Sequence, residues 1–128
     1  VQDLARHKRL HLLADGERFL DAFEAHLCPG HTPGCLVYRF IGHDVPVVFS
    51  GDAAKNRAEL LSMATDMTMD AAASRASLAR IWGLWRQAPG TLLIPGHDLT
   101  MRLGEDGRPA YVGQRRAGIA AWFSEDLA

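Results

Sequence analysis

Three short stretches constrain this chain more than anything else in it. They are Cys28-Pro29-Gly30-His31-Thr32-Pro33-Gly34-Cys35, Ser50-Gly51-Asp52 and Ile94-Pro95-Gly96-His97-Asp98. Each sets a His or Asp beside a glycine at the end of an apolar run. Residues 45–49 (Val-Pro-Val-Val-Phe) and 91–94 (Thr-Leu-Leu-Ile) are short and almost wholly apolar, which predicts buried strands. Residues 19–27 alternate, with Phe23, Ala25 and Leu27 on one side and Glu24 and His26 on the other, which predicts a half-buried strand. Residues 36–41 (Leu-Val-Tyr-Arg-Phe-Ile) predict another strand. A fold that must end several strands in stiff Pro/Gly turns carrying polar side chains is a mixed α/β fold with its chemistry at a sheet edge.

The remaining elements are read from local signals. Residues 3–9 read as an exposed helix tail and 10–14 as a short strand, with Asp15-Gly16 as a hairpin signal. Gly42-His43-Asp44 turns the chain, residues 53–64 form a helical turn or short helix, and 65–69 are irregular. Asp70 is placed to cap a helix on which Ser74, Leu78, Ile81, Trp82 and Trp85 recur as a buried stripe, with Arg75, Arg80 and Arg86 on other faces. Ala88-Pro89-Gly90 stops that helix. The turn at 105–109 pairs 101–103 with 110–112, and 114–123 reads as a closing helix.

Composition excludes several classes. Fourteen Lys and Arg balance fifteen Asp and Glu over 128 residues, with no basic stripe interleaved with aromatics, so neither a nucleic-acid nor a membrane surface is expected. No apolar run approaches the roughly 20 residues of a membrane helix. Cys28 and Cys35 could bridge the turn between them or remain as reduced thiols, which suit the cytosol. Both read more readily as small packing residues than as nucleophiles, since no base is evident beside either. The chain opens at Val1, without Met, and the expectation is a partial domain lacking its N-terminus.

His and Asp offer lone pairs that bind a cation at ~2.0–2.2 Å, and glycine lets the backbone approach an ion closely. His31, Asp52 and His97 are therefore candidate metal ligands meeting at one sheet edge. Each also has a plainer reading: His31 and His97 as surface residues in Pro-Gly turns, Asp52 as a turn or cap residue for the segment after it. Asp98 could orient His97 or simply cap its own loop. Lys55 and Arg57 could face an anionic substrate or line a solvated helix face. His26 and His43 read as surface residues, and so do His7 and His11. Trp82 and Trp85 read as core. Met63, Met67 and Met69 read as pocket-mouth or gap-filling residues.

Taken in order and at these separations, Cys-Pro-Gly-His-Thr-Pro-Gly, Phe-Ser-Gly-Asp-Ala and Ile-Pro-Gly-His-Asp resemble the second half of the metallo-β-lactamase-fold hydrolases. The resemblance covers the whole chain. It implies an α/β (α+β) fold: half of a four-layer αββα sandwich, with a sheet packed against helices and residues 1–128 forming a single partial domain. It implies that His31 ligates a first metal, that Asp52 bridges two and serves catalysis, and that His97 ligates the second. The implied cofactor is Zn2+, two ions in the complete protein, with other divalent metals possible. The implied partner is a small-molecule substrate attacked by a metal-bound hydroxide at an ester, thioester, lactone or related bond. Lactonase-like and thioesterase-like members fit the motifs better than enzymes acting on β-lactams. The family's His-x-His-x-Asp-His motif is absent. His7 and His11 are the nearest pairing and do not match it. The alternatives are a non-catalytic metal-binding or interaction module of the same fold, and an unrelated α/β domain in which the three residues serve only their turns.

Overall fold

The computed structural model describes residues 6–113. Seven strands form one sheet in chain order: β1 (Arg18–Phe19), β2 (Phe23–Leu27), β3 (Leu36–Phe40), β4 (Val47–Gly51), β5 (Leu92–Pro95), β6 (Met101–Leu103) and β7 (Pro109–Tyr111). Neighbours run antiparallel except β4 and β5, which are parallel. A parallel pair requires a crossover. Two helices supply it, α1 (Arg57–Ser62) and α2 (Ala71–Arg86).

The alternation of side chains sorts the sheet into two faces. Val37, Val48, Leu93 and Met101 point to the helices and are fully buried with Leu60 of α1 and Leu78, Ile81, Leu84 and Trp85 of α2. Burying each of these large side chains contributes about 1.5–3 kcal/mol, so this layer is the main source of stability. Cross-strand partners share a face, and the opposite face carries Phe23, Phe40, Val47 and Leu92 in one row and Tyr38, Phe49 and Ile94 in the next. Leu27 and Leu36 lie further along it. None of these belongs to the core cluster, and Leu27 and Phe49 stay 40% and 36% exposed. Among the described residues the sheet is therefore apolar on both faces but helix-covered on one.

The long helix begins as expected. Asp70 is extended (φ −143°), and its Oδ1 accepts from the Ala73 amide at 2.9 Å. Its buried stripe is Ser74, Ser77, Leu78, Ile81, Leu84 and Trp85. Trp82 is only half-buried: its Nε1 donates to the Leu60 carbonyl, and the Arg86 guanidinium lies 4.5 Å over its ring. Of the methionines between the two helices, Met63 packs against the core, whereas Met67 and Met69 are 84% and 75% exposed.

Several local expectations need correction. Residues 19–27 are not one strand. Leu20 and Asp21 adopt φ of 48° and 58°, folding the segment into a hairpin between β1 and β2 that no glycine signals. Residues 10–14 form no strand, and 6–9 form turns rather than a helix; Leu10 and Leu12 are exposed and find no sheet to join. The short helix expected within 53–64 is present as the six-residue α1, which Met63 ends with a left-handed cap. β4 starts at Val47, after Pro46, whose ring leaves no amide for a ladder. The closing helix expected over 114–123 lies outside the described residues. No helix among the described residues is long and apolar enough to cross a membrane.

His26 is the clearest misreading. It faces the helices beside Val37, not solvent. Its Nδ1 is 3.4 Å from an Arg80 nitrogen, and its Nε2 is buried without a hydrogen bond, 3.6 Å from Glu24. Burial, and then the Arg80 charge, pull its pKa below the ordinary 6.5, against the opposing pull of Glu24. The unfolded chain therefore takes up a proton that the folded chain resists, and stability falls as pH drops below about 6.5. The lowered carboxyls Asp15, Glu17 and Asp66 add a separate loss only in the acid range, where those groups themselves protonate. In urea unfolding across pH, His26→Gln should flatten the first decline and leave the acid one.

Candidate functional site

The site is built by the single parallel pair. Parallel neighbours end at the same edge of a sheet, so the residues after β4 and β5 emerge side by side. Pairing runs from Val47↔Leu92 to Phe49↔Ile94 and then shifts to Gly51↔Pro95, leaving Ser50 as an extra residue. Such a bulge bends a strand and re-aims the residues beyond it. Ser50 is fully buried, and its Oγ donates to the Ala54 carbonyl at 2.8 Å, closing a tight loop around Asp52. Gly51 takes φ 48° in this bend, where a side chain would be strained.

The loop after β5 is laid directly onto this one. The Gly96 amide donates to the Gly51 carbonyl (3.2 Å) and the Ala54 carbonyl (3.3 Å), and the His97 amide donates to the Lys55 carbonyl (2.8 Å). A Cβ on Gly96 would lie 2.7 Å from the Gly51 oxygen and 3.1 Å from Asp52 Oδ1, so only glycine allows this approach. The result is a side-chain pair: His97 Nε2 stands 2.9 Å from Asp52 Oδ1. Both side chains are open to solvent, 64% and 42% exposed respectively.

Asp98 gathers donors around its own loop. Its Oδ1 accepts from the Leu99 amide at 2.8 Å, and its Oδ2 accepts from the Arg57 amide at 3.1 Å and the Tyr111 hydroxyl at 2.9 Å. Lys55 is not held ready for an anion. Its ammonium sits between Glu59 (3.1 Å) and Asp66 (2.7 Å). Burial lowers its pKa, but the hydrogen bonds to Asp66 and Glu59 outweigh that and leave it raised.

The topology also carries the His31 turn to this edge. β3 runs antiparallel to β4, so its start lies level with the end of β4, and β2 ends beside it. The turn is anchored on α2. Gly30 (φ 139°) lies so close that a Cβ would come 2.5 Å from the Ser74 amide nitrogen. The Gly30 carbonyl accepts from the Met69 and Asp70 amides, and Ser77 Oγ donates to the Pro29 carbonyl at 2.7 Å. The Cys28 amide donates to the Cys35 carbonyl, and both thiols are free. Desolvation raises the Cys28 thiol to about 11, which suits a packing residue rather than a nucleophile. His31 itself is half-buried.

Carboxylate and neutral imidazole are both zinc donors. Two ligands of one tetrahedral zinc stand about 3.4 Å apart, so the 2.9 Å pair would need to open only slightly, which two exposed side chains can do. Asp52 and His97 thus fit a metal as two of its ligands. His31 does not join them in a ready triad: among the described residues no group of three or more His, Cys, Asp or Glu side chains could hold a metal ion. What sequence reasoning missed is Tyr111, which carries no motif and is recruited across the β6–β7 hairpin.

The Gly96 contact can be checked by contrast. Gly96→Ala should destabilise the protein by about 1–3 kcal/mol, because its neighbours are backbone and cannot yield. Gly83→Ala, in α2 with open space around it, should stabilise by roughly 0.5–1 kcal/mol. Urea midpoints measure both.

No protein-family model and no curated protein sequence matches the chain. Solved structures do. The chain is similar to a probable metal-dependent hydrolase from Staphylococcus aureus, with a TM-score of 0.69 at 17% identity, covering 86% of this chain and 42% of that one. It is similar to AidC, a dizinc quorum-quenching lactonase solved in complex with a product N-hexnoyl-L-homoserine (TM-score 0.62, 14% identity, 81% of this chain and 38% of that one). A third is the hydrolase AbOPH of the beta lactamase superfamily (TM-score 0.61, 13% identity, 80% and 38%). The chain therefore spans 38–42% of the length of these structures. A mixed sheet with two helices on one face, superposing on less than half of each of these hydrolases, identifies the chain as carrying one half of a metallo-β-lactamase-type fold.

Proposed function

We propose that this chain is the C-terminal half of a metal-dependent hydrolase acting on an ester, lactone, thioester or related bond of a small molecule. In this reading His97 and Asp52 hold a divalent cation, zinc in the first instance. His31 supplies a further ligand from the same sheet edge, and the other half of the fold completes the shell. The observation that carries the reading is the solvent-open His97–Asp52 pair, presented where the parallel strands end. The apolar face of the sheet that no helix covers among the described residues supports it, since a second sheet packed there would give the four-layer sandwich.

A bound divalent cation supplies Lewis acidity: it lowers the pKa of water toward 7 and polarises the bond to be cleaved. This chain's own part is positional. The bulge at Ser50 and the Gly96 contact fix Asp52 and His97 before any ligand arrives, so little entropy is lost on binding. A second reading, a non-catalytic metal-binding or interaction module of the same fold, draws on the fact that the described residues gather two donors and not three.

Zinc content and hydrolysis separate the two. In the complete protein, Asp52→Ala should lower zinc affinity at least about tenfold, since loss of even an outer partner of a ligand costs that much, and should abolish hydrolysis. Arg75→Ala, on the exposed face of α2, should change neither. A complete protein, both halves of the fold present, that binds no divalent metal, or an Asp52→Ala variant of it with unchanged turnover, would overturn the hydrolase reading.

A further inference from the structure

The His97 imidazole is 64% exposed, and it meets an open partner, the 42% exposed Asp52 side chain. Side chains as open as these do not hold themselves in a productive geometry. Their placement has to come from the backbone beneath them, and the backbone of the 96–100 loop is tied down on three sides. The Asp52 loop holds Gly96 and His97 through the carbonyls of Gly51, Ala54 and Lys55. The start of α1 holds Asp98 through the Arg57 amide. The third tie comes from β7: the Tyr111 hydroxyl reaches Asp98 Oδ2, and the Val112 amide donates to the Thr100 carbonyl at 2.9 Å. Arg57 closes the ring, since its Nε donates to the Pro109 carbonyl at 2.9 Å and links α1 to the same strand.

We propose that Tyr111 and Asp98 are positioning residues for His97, and that the β6–β7 hairpin belongs to the working site although it carries no candidate ligand. The inference rests on the hydrolase reading for its purpose, but its geometry stands apart from it. Asp98 is bonded to the peptide of His97 and gathers donors from three segments: Leu99 beside it, Arg57 at α1 and Tyr111 on β7. Hydrogen bonds to a carboxylate are among the stronger ones in a protein, and a shared acceptor makes the three segments move as one. The loop therefore has a defined height above the sheet edge. That height sets where the imidazole meets Asp52 and any cation between them. Tyr111 is suited to this because its ring packs against the core, so its hydroxyl is held on a fixed stem.

The test uses Tyr111→Phe, which keeps the ring and removes the hydroxyl, with Asp98→Asn and Asp98→Ala as a graded pair. Amide hydrogen exchange is measured first, without metal. In Tyr111→Phe the Gly96 and His97 amides should exchange about fivefold to tenfold faster, the scale of one hydrogen bond, while the β2–β3 amides stay unchanged. The 15N signals of the His97 ring should shift, which a purely global effect on stability would not produce. Asp98→Asn, retaining one acceptor oxygen, should fall between wild type and Asp98→Ala. Zinc affinity should fall in the same order. Unchanged exchange at Gly96 and His97, or equal acceleration at every amide, would overturn the positioning role. If the complete protein binds no divalent metal but the exchange pattern appears, the hydrolase reading fails and the positioning of His97 stands.

Discussion

Everything at the candidate site depends on β4 and β5 running in the same direction. The other described neighbours in the sheet are antiparallel, and antiparallel neighbours send consecutive ends to opposite edges. One parallel pair brings residues 45 positions apart to within 2.9 Å of each other. It also explains the glycines. Two strands ending together leave two loops competing for the same space. Gly51 bends with a positive φ, and Gly96 presses where a side chain would strike the Gly51 carbonyl. The bulge at Ser50 resolves the rest by turning β4 out of register as it ends.

The crossover that parallel pairing demands is also what buries the core. α2 lays Leu78, Ile81, Leu84 and Trp85 against Val37, Val48 and Leu93, and its first turns receive the His31 turn through Gly30, Ser74 and Ser77. One helix thus links the hydrophobic layer to the sheet edge. Loosening its packing would move the backbone on which His31 stands. The opposite face, with Phe40, Tyr38, Phe49 and Ile94 in rows, has no such cover among the described residues. That asymmetry is what half of a two-sheet sandwich has at its centre.

Much of this was legible in the residues. Apolar runs ending in Gly-flanked polar residues located β4 and β5, Asp70 announced the start of α2, and the turn at 105–109 announced the last hairpin. What escaped had a common cause. Leu20 and Asp21 take left-handed backbone angles that their residue types do not advertise, because the aromatic pairing of Phe19 with Phe23 and Tyr38 holds the hairpin shut. His26 sits at a polar position of its strand, yet its face is covered by α2, a contact 54 residues away. Asp98 reads as a residue that orients His97 or caps its own loop, but that its carboxylate also gathers Arg57 and Tyr111 is set by contacts 41 and 13 residues away.

The sequence by itself determined the kinds of donor available, the turns that carry them and the strands that those turns end, because these are set by side-chain chemistry and by periodicities a few residues long. Only the tertiary structure decided which donors meet. Strand direction, the shift at Ser50 and the nesting of Gly96 are relations between distant segments, and they join Asp52 to His97 while leaving His31 at the same edge but outside a ready triad. Local sequence carries no record of such relations, since they arise from hydrogen bonds and packing that exist only once the sheet has formed.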